Sequence, residues 1–147
     1  MQKFTVSVLI NRSQQHVFDF LSDPANLPKW DPDFESAAWI SSGIPGIGST
    51  YRASGKRLGS DKDGFFEIVQ WDRPHRYSYK AKESMFLFER AEIAITLKPR
   101  GDGTEAICEY QFEIIGTLKF AEGFVAKMGK KRIEGNLNTA KRLLEAG

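Results

Sequence analysis

"FDFLSDPANLPKWDPDF", residues 18–34, ends one amphipathic helix, starts another within three residues, and leaves Trp30 just ahead of two further aspartates and a phenylalanine. Upstream, Ser13 is placed to cap a helix from Gln14 to Ser22. Its apolar residues Val17, Phe18, Phe20 and Leu21 fall on one side at about 100° per residue. Asp23 then caps a new turn, and Pro24 takes its first position, where a missing N–H costs nothing. Pro28 holds that second helix to little more than a turn. Two short helices in a V, with Trp30 at their exit, are therefore expected.

On either side of this V the chain reads as strands. Phe4, Val6, Val8 and Ile10 alternate with Lys3, Thr5, Ser7 and Leu9, the period of a half-buried strand. Beyond the V, residues 35–41, 49–57, 63–72, 76–82, 85–98 and 104–115 have strand composition, separated by "GIPGIG", "GSDKDG", "DRPH" and "PRGDG" turns. The clearest hairpin sets Ile93, Ile95 and Leu97 against Ala106, Cys108, Tyr110, Phe112 and Ile114. "FFEIVQW" in 63–72 is apolar at both parities, so periodicity leaves its inward face open. After Gly116 the pattern is helical to the end. One strand, two short helices, six strands and a long helix predict an α+β fold: a seven-stranded antiparallel sheet wrapped around the C-terminal helix.

Length and composition bound the possibilities. The 147 residues suit a single domain spanning 1–147, large enough for a real core. No apolar run approaches the ~18 residues of a membrane span, and the alternating start does not read as a signal peptide. The Asn11-Arg12-Ser13 sequon is then idle. A single cysteine, Cys108, excludes an internal disulfide framework and suits the cytoplasm. The net charge of +2 is too small to imply a nucleic-acid partner. Residues 119–147 nevertheless carry seven Lys/Arg against three Glu, so +4. That is either a solvated basic helix face or an attraction for an acidic ligand or surface.

The element order, with "VFDFLSDPANLPKW", "PGIGSTY", "WDRPHRYSY" and "LKPRGDGTEAICEYQFEI", resembles the SRPBCC superfamily over Phe4 to about Leu144. That group includes the birch-pollen allergen, START lipid-transfer domains and the polyketide cyclase/dehydrase group. The resemblance implies a helix-grip fold with a cavity between sheet and last helix, and makes Trp30 a residue of the cavity floor or mouth; the alternative is a tryptophan that only packs the core. It does not select a function, because members carry lipids or hormones, cyclise polyketides, or act as co-chaperone-like modules.

Chemical motifs are sparse. His16 and His75 lie in different elements with no ligand spacing around them, so neither a metal nor a cofactor is expected. "GIPGIGST" (43–50) and "GFVAKMGKK" (123–131) lack the spacing of phosphate-binding loops, and no Gly-x-Ser-x-Gly elbow occurs. Cys108, in an alternating strand, reads as a small buried thiol. What remains is a cavity lining. If Ile93, Ile95 and Leu97 face inward, parity brings Glu89 inward too, alongside Tyr110 and Phe112, and Tyr77 and Tyr79; Phe66 is a further candidate on the strand whose inward face stays open. Glu89 and Tyr110 could then serve an enolising cyclisation as acid and base; otherwise Glu89 is a strand-end carboxylate in solvent, and the tyrosines are core rings.

The C-terminal helix carries two stripes, Phe120, Phe124 and Met128, then Ile133, Leu137, Ala140 and Leu144, whose centres lie roughly 160° apart on a straight helix. Either the helix breaks near Gly129 or it runs straight, with Gly129 and Ala126 roofing the cavity and Phe124 and Met128 at its sides or portal. The straight helix is the favoured expectation, because small inward residues leave room for a ligand. The expected partner is one small apolar or amphipathic molecule bound by a monomer or homodimer. A cyclase/dehydrase-like enzyme and a co-chaperone-like interaction module are the alternatives.

Overall fold

A computed structural model describes residues 1–55, 63–83 and 88–147. Strand β1 (Gln2–Ile10) leads into α1 (Gln14–Ser22), a 3₁₀ turn (Pro24–Asn26) and α2 (Leu27–Trp30). Strands β2 (Ser36–Trp39), β3 (Thr50–Ser54), β4 (Gly64–Asp72), β5 (Arg76–Ala81), β6 (Phe88–Arg100) and β7 (Gly103–Ile114) follow. A second 3₁₀ segment (Gly116–Ala121) then enters α3 (Glu122–Ala146). Residues 56–57 and 85–87 of the expected strands, and most of the "GSDKDG" turn, lie outside the described residues.

The capping chemistry behaves as its residues dictate. Ser13 Oγ accepts from the His16 N–H at 3.2 Å, and Asp23 Oδ1 from the Ala25 N–H at 3.0 Å. The strands form one antiparallel sheet in the order β1-β7-β6-β5-β4-β3-β2. The first two strands in sequence are thus the two edges, and the V of α1 and α2 connects them. Fully buried Phe18 fixes α1 to the sheet, edge-on to Trp71 at 5.0 Å and Tyr77 at 5.3 Å. On the surface Arg73 donates to both Asp19 oxygens at 2.8 Å, and that hydrogen bond holds the Asp19 carboxyl below its usual range.

Helix α3 runs unbroken through Gly129, as the straight alternative requires. Ile133, Leu137, Ala140 and Leu144 are buried. Polar contacts anchor its far end: Arg12 Nη2 donates to the carbonyls of Glu145 at 2.6 Å and Gly147 at 2.9 Å. Lys141 also donates to the Leu9 carbonyl. At Gly55, just past β3, any side chain would collide with the carbonyl oxygen of Asp33, so only glycine lets the loop after α2 lie against this strand. That close approach sets the position of the acidic loop described next.

Candidate functional site

Between the sheet and α3 lies a cavity of ≈60 Å³. Its walls are mainly rings and aliphatic groups: Trp30, Phe34, Tyr51, Phe66, Tyr79 and Tyr110, with Leu27, Ile93, Ile95, Cys108, Ile133 and Leu137. Asp31 and Arg132 complete the lining. A smaller void of ≈10 Å³ adjoins it, bordered by Trp30, Tyr51, Tyr77 and Tyr79. The larger hollow along α1, ≈520 Å³, is an open surface groove with polar walls at Ser13, Gln15, His16, Asp19 and Asn26. It is too open to enclose a ligand.

The lining follows from strand pairing. Tyr51 opposes Phe66 across β3 and β4, and their rings stack at 5.0 Å. Tyr79 on β5 meets both rings at 5.8 Å and opposes Ile93 on β6. Tyr110 on β7 opposes Ile93 from the other side and stacks on Phe4 at 5.3 Å. The result is a floor of two ring clusters, Tyr51–Phe66–Tyr79 and Phe4–Tyr110, with Ile93 between them. Burial pushes the Tyr51, Tyr77 and Tyr79 hydroxyls well above their usual range, so at neutral pH they are protonated donors. Burial also pushes the Cys108 thiol up to about 12, which leaves it un-ionised and a poor nucleophile.

Polar chemistry concentrates at one side. Trp30 is only 5% exposed, and its indole N–H is buried without a hydrogen-bond partner. Asp31, also buried, accepts from the Asp33 N–H at 3.1 Å, an Asx-type turn. Arg132 Nη1 bridges from α3 to Asp33 Oδ2 at 2.8 Å and Asp31 Oδ2 at 3.5 Å. This ion triad ties the helix to the loop after α2 beside the cavity. The amide nitrogen of Asn136 is a second buried donor without a partner, one turn further along α3.

Some of the residues singled out by sequence lie at the cavity, and others do not. Trp30, Phe66, Tyr79 and Tyr110 line the cavity, and Tyr77 lines the adjoining void. Phe112 is buried in a separate cluster, edge-on to Phe88 at 5.4 Å and Phe4 at 6.4 Å. Glu89 is exposed on the outside, which corrects the parity argument. The β6–β7 register slips between Phe88 and Arg90, so Glu89 is the extra residue and the alternation read back from Ile93 does not carry through it. Phe124 and Met128 are also corrected: they are 67% and 55% exposed and lie outside the cavity. Gly129 is not its roof, because a Cβ there would meet the Phe4 ring at 3.2 Å. Ala126, half-buried, lies outside the lining as well. Tyr51, Asp31 and Arg132 were not singled out by sequence. The alternation of "TYRAS" could have revealed Tyr51, but no local pattern pairs Arg132 with Asp33, ninety-nine positions away.

An antiparallel sheet gripping one long helix around an aromatic cavity defines a helix-grip protein. The chain belongs to the polyketide cyclase / dehydrase and lipid transport family, whose sequence profile matches residues 1–145. No curated protein matches it by sequence. Among solved structures it is similar to TTHA0849 from Thermus thermophilus, with TM-score 0.79 and 18% identity over 99% of this chain and 98% of the other. Ara h 8.0201 superposes with TM-score 0.76 and 15% identity over 99% of both chains. The di-domain ARO/CYC protein BexL of the BE-7585A biosynthetic pathway gives 0.78 and 13%, covering 97% of this chain and 46% of that one. At such identities the likeness establishes the fold, and the SRPBCC resemblance is borne out.

No described helix is long and apolar enough to cross a membrane. Among the described residues no three of His, Cys, Asp and Glu gather as a metal site.

Proposed function

We propose that this domain binds a small, mostly apolar molecule carrying a hydrogen-bond acceptor, held in the cavity between sheet and α3. The observation that carries this reading is the Trp30 indole N–H, buried without a partner in the wall of an aromatic cavity. An unsatisfied buried donor costs about 1–3 kcal/mol, which an acceptor on a ligand would recover. Apolar walls with one oriented polar group are the usual make-up of a small-molecule site.

Volume sets a condition on binding. A cavity of ≈60 Å³ is well below the ~150 Å³ that admits benzene in an engineered core. Any larger ligand must displace α3 or the loop carrying Asp31 and Asp33, so the Arg132 bridges act as a latch. Less supports a cyclisation reading: Glu89 lies outside the cavity, and Asp31 is paired with Arg132.

Native mass spectrometry of the protein purified gently from its own host tests the proposal. A non-covalent small-molecule adduct is expected, and it should be lost in Ile93→Trp, which fills the cavity. Absence of any adduct, or its full retention in Ile93→Trp, would contradict the reading.

A further inference from the structure

The outer face at the start of α3 has no role in the cavity, yet it concentrates large apolar side chains in the open. Phe120 is 87% exposed, Phe124 67% and Met128 55%. On α3, Phe124, Lys127, Met128 and Lys131 fall within an arc of roughly 100°, opposite the buried Ile133 and Ala140. Lys130 flanks this arc on α3, and Lys119 in the preceding 3₁₀ segment is also exposed. The face is therefore apolar and basic at once. Its neighbouring carboxylate Glu122 is turned away, accepting from the Ile114 N–H at 3.3 Å.

We propose that the segment from Lys119 to Lys131 docks the domain on an anionic phospholipid surface. Exposed aromatic and thioether groups among lysines match an interfacial helix, whose apolar side sinks ~5–10 Å into the headgroup boundary while its cations meet lipid phosphates and carboxylates. Charge decides the occupant. A second copy stacked on this face would bring Lys127 and Lys131 against their own equivalents, whereas an anionic bilayer neutralises all four lysines at once. The helix is also suited to presenting this end. Two of its polar anchors, Arg12 to the terminal carbonyls and Lys141 to Leu9, sit at the opposite end. Gly129, about two turns in, lies against the Phe4 ring that stacks on Tyr110 of the cavity wall, so the docking face adjoins the cavity without depending on its being occupied.

Co-sedimentation of the full chain with phosphatidylcholine vesicles, with and without phosphatidylserine, tests the proposal. Binding is expected only to the phosphatidylserine vesicles, and it should fall steeply with added salt. Each lysine near such a surface contributes about fivefold, so Lys127→Glu with Lys131→Glu should weaken binding at least about twentyfold. Phe124→Ser with Met128→Ser should weaken it comparably while leaving the thermal midpoint unchanged, since both side chains are already in solvent. Three results would overturn the proposal. One is no pelleting with either vesicle. Another is pelleting that both variant pairs leave intact. The third is concentration-dependent dimerisation abolished by Phe124→Ser, which would assign the face to a second copy.

Discussion

Leu137→Ala lowers the thermal midpoint by roughly 10 °C and makes the protein more responsive to a small aromatic ligand than the unmodified chain. Leu137 is 1% exposed and forms part of the cavity wall beneath α3. Truncating a buried leucine costs about 2–5 kcal/mol, and each kcal/mol moves the midpoint of a chain this size by ~2–4 °C. The deleted groups enlarge a cavity of ≈60 Å³ toward the size that accepts a single ring. Phenol offers both that ring and an oxygen for the Trp30 indole N–H. At a hundredfold excess over Kd it would return about 2.7 kcal/mol, recovering much of the lost midpoint. Calorimetric scans of both proteins with and without phenol decide the point. A variant that loses stability but gains no more from phenol than the parent would show that the cavity does not receive ligands.

Arg132→Met is expected to carry the second largest effect, on stability and on entry together. Its guanidinium stands 2.8 Å from Asp33 and 3.5 Å from Asp31, whose side chain is 8% exposed. Removing one partner of a fully buried pair costs ~3–5 kcal/mol. Arg132 is a quarter exposed, so roughly 2–3 kcal/mol is the better expectation here. Two acidic side chains would then lose their bridges to Arg132. Adding Asp31→Asn should restore much of that loss, and a double-mutant cycle measures the coupling. Stopped-flow mixing with a naphthalene sulfonate should show faster entry in Arg132→Met, because the latch between α3 and the loop is gone. Unchanged stability and unchanged entry would remove the triad from any gating role.

How much of this was legible in the chain follows from what each signal depends on. The helix-grip topology rests on local chemistry: Ser13 and Asp23 cap where their side chains reach a free N–H, and the alternation in β1, β6 and β7 fixes an inward face. Cys108 and the Ile93, Ile95, Leu97 row were readable for the same reason. Glu89 was misplaced because a β-bulge changes strand phase without any mark in composition. Phe124 and Met128 were misplaced because Gly129 was expected to leave open space beneath it, whereas the Phe4 ring fills that space and both large side chains point to solvent. The Asp31–Arg132–Asp33 triad depends on where a loop and a distant helix turn meet. Gly55 shapes that meeting by yielding to the Asp33 backbone, and nothing near either sequence position announces it.

The most direct test of ligand binding in this cavity is the ¹H–¹⁵N resonance of the Trp30 indole, followed while phenol is titrated into the Leu137→Ala protein. With no partner in the unliganded protein, the indole proton should move downfield as it gains an acceptor, and Trp39 and Trp71 should shift less. The expected result is a saturable Trp30 shift whose midpoint matches the calorimetric Kd. A Trp30 resonance that stays in place at saturating phenol, with binding shown by calorimetry, would contradict it.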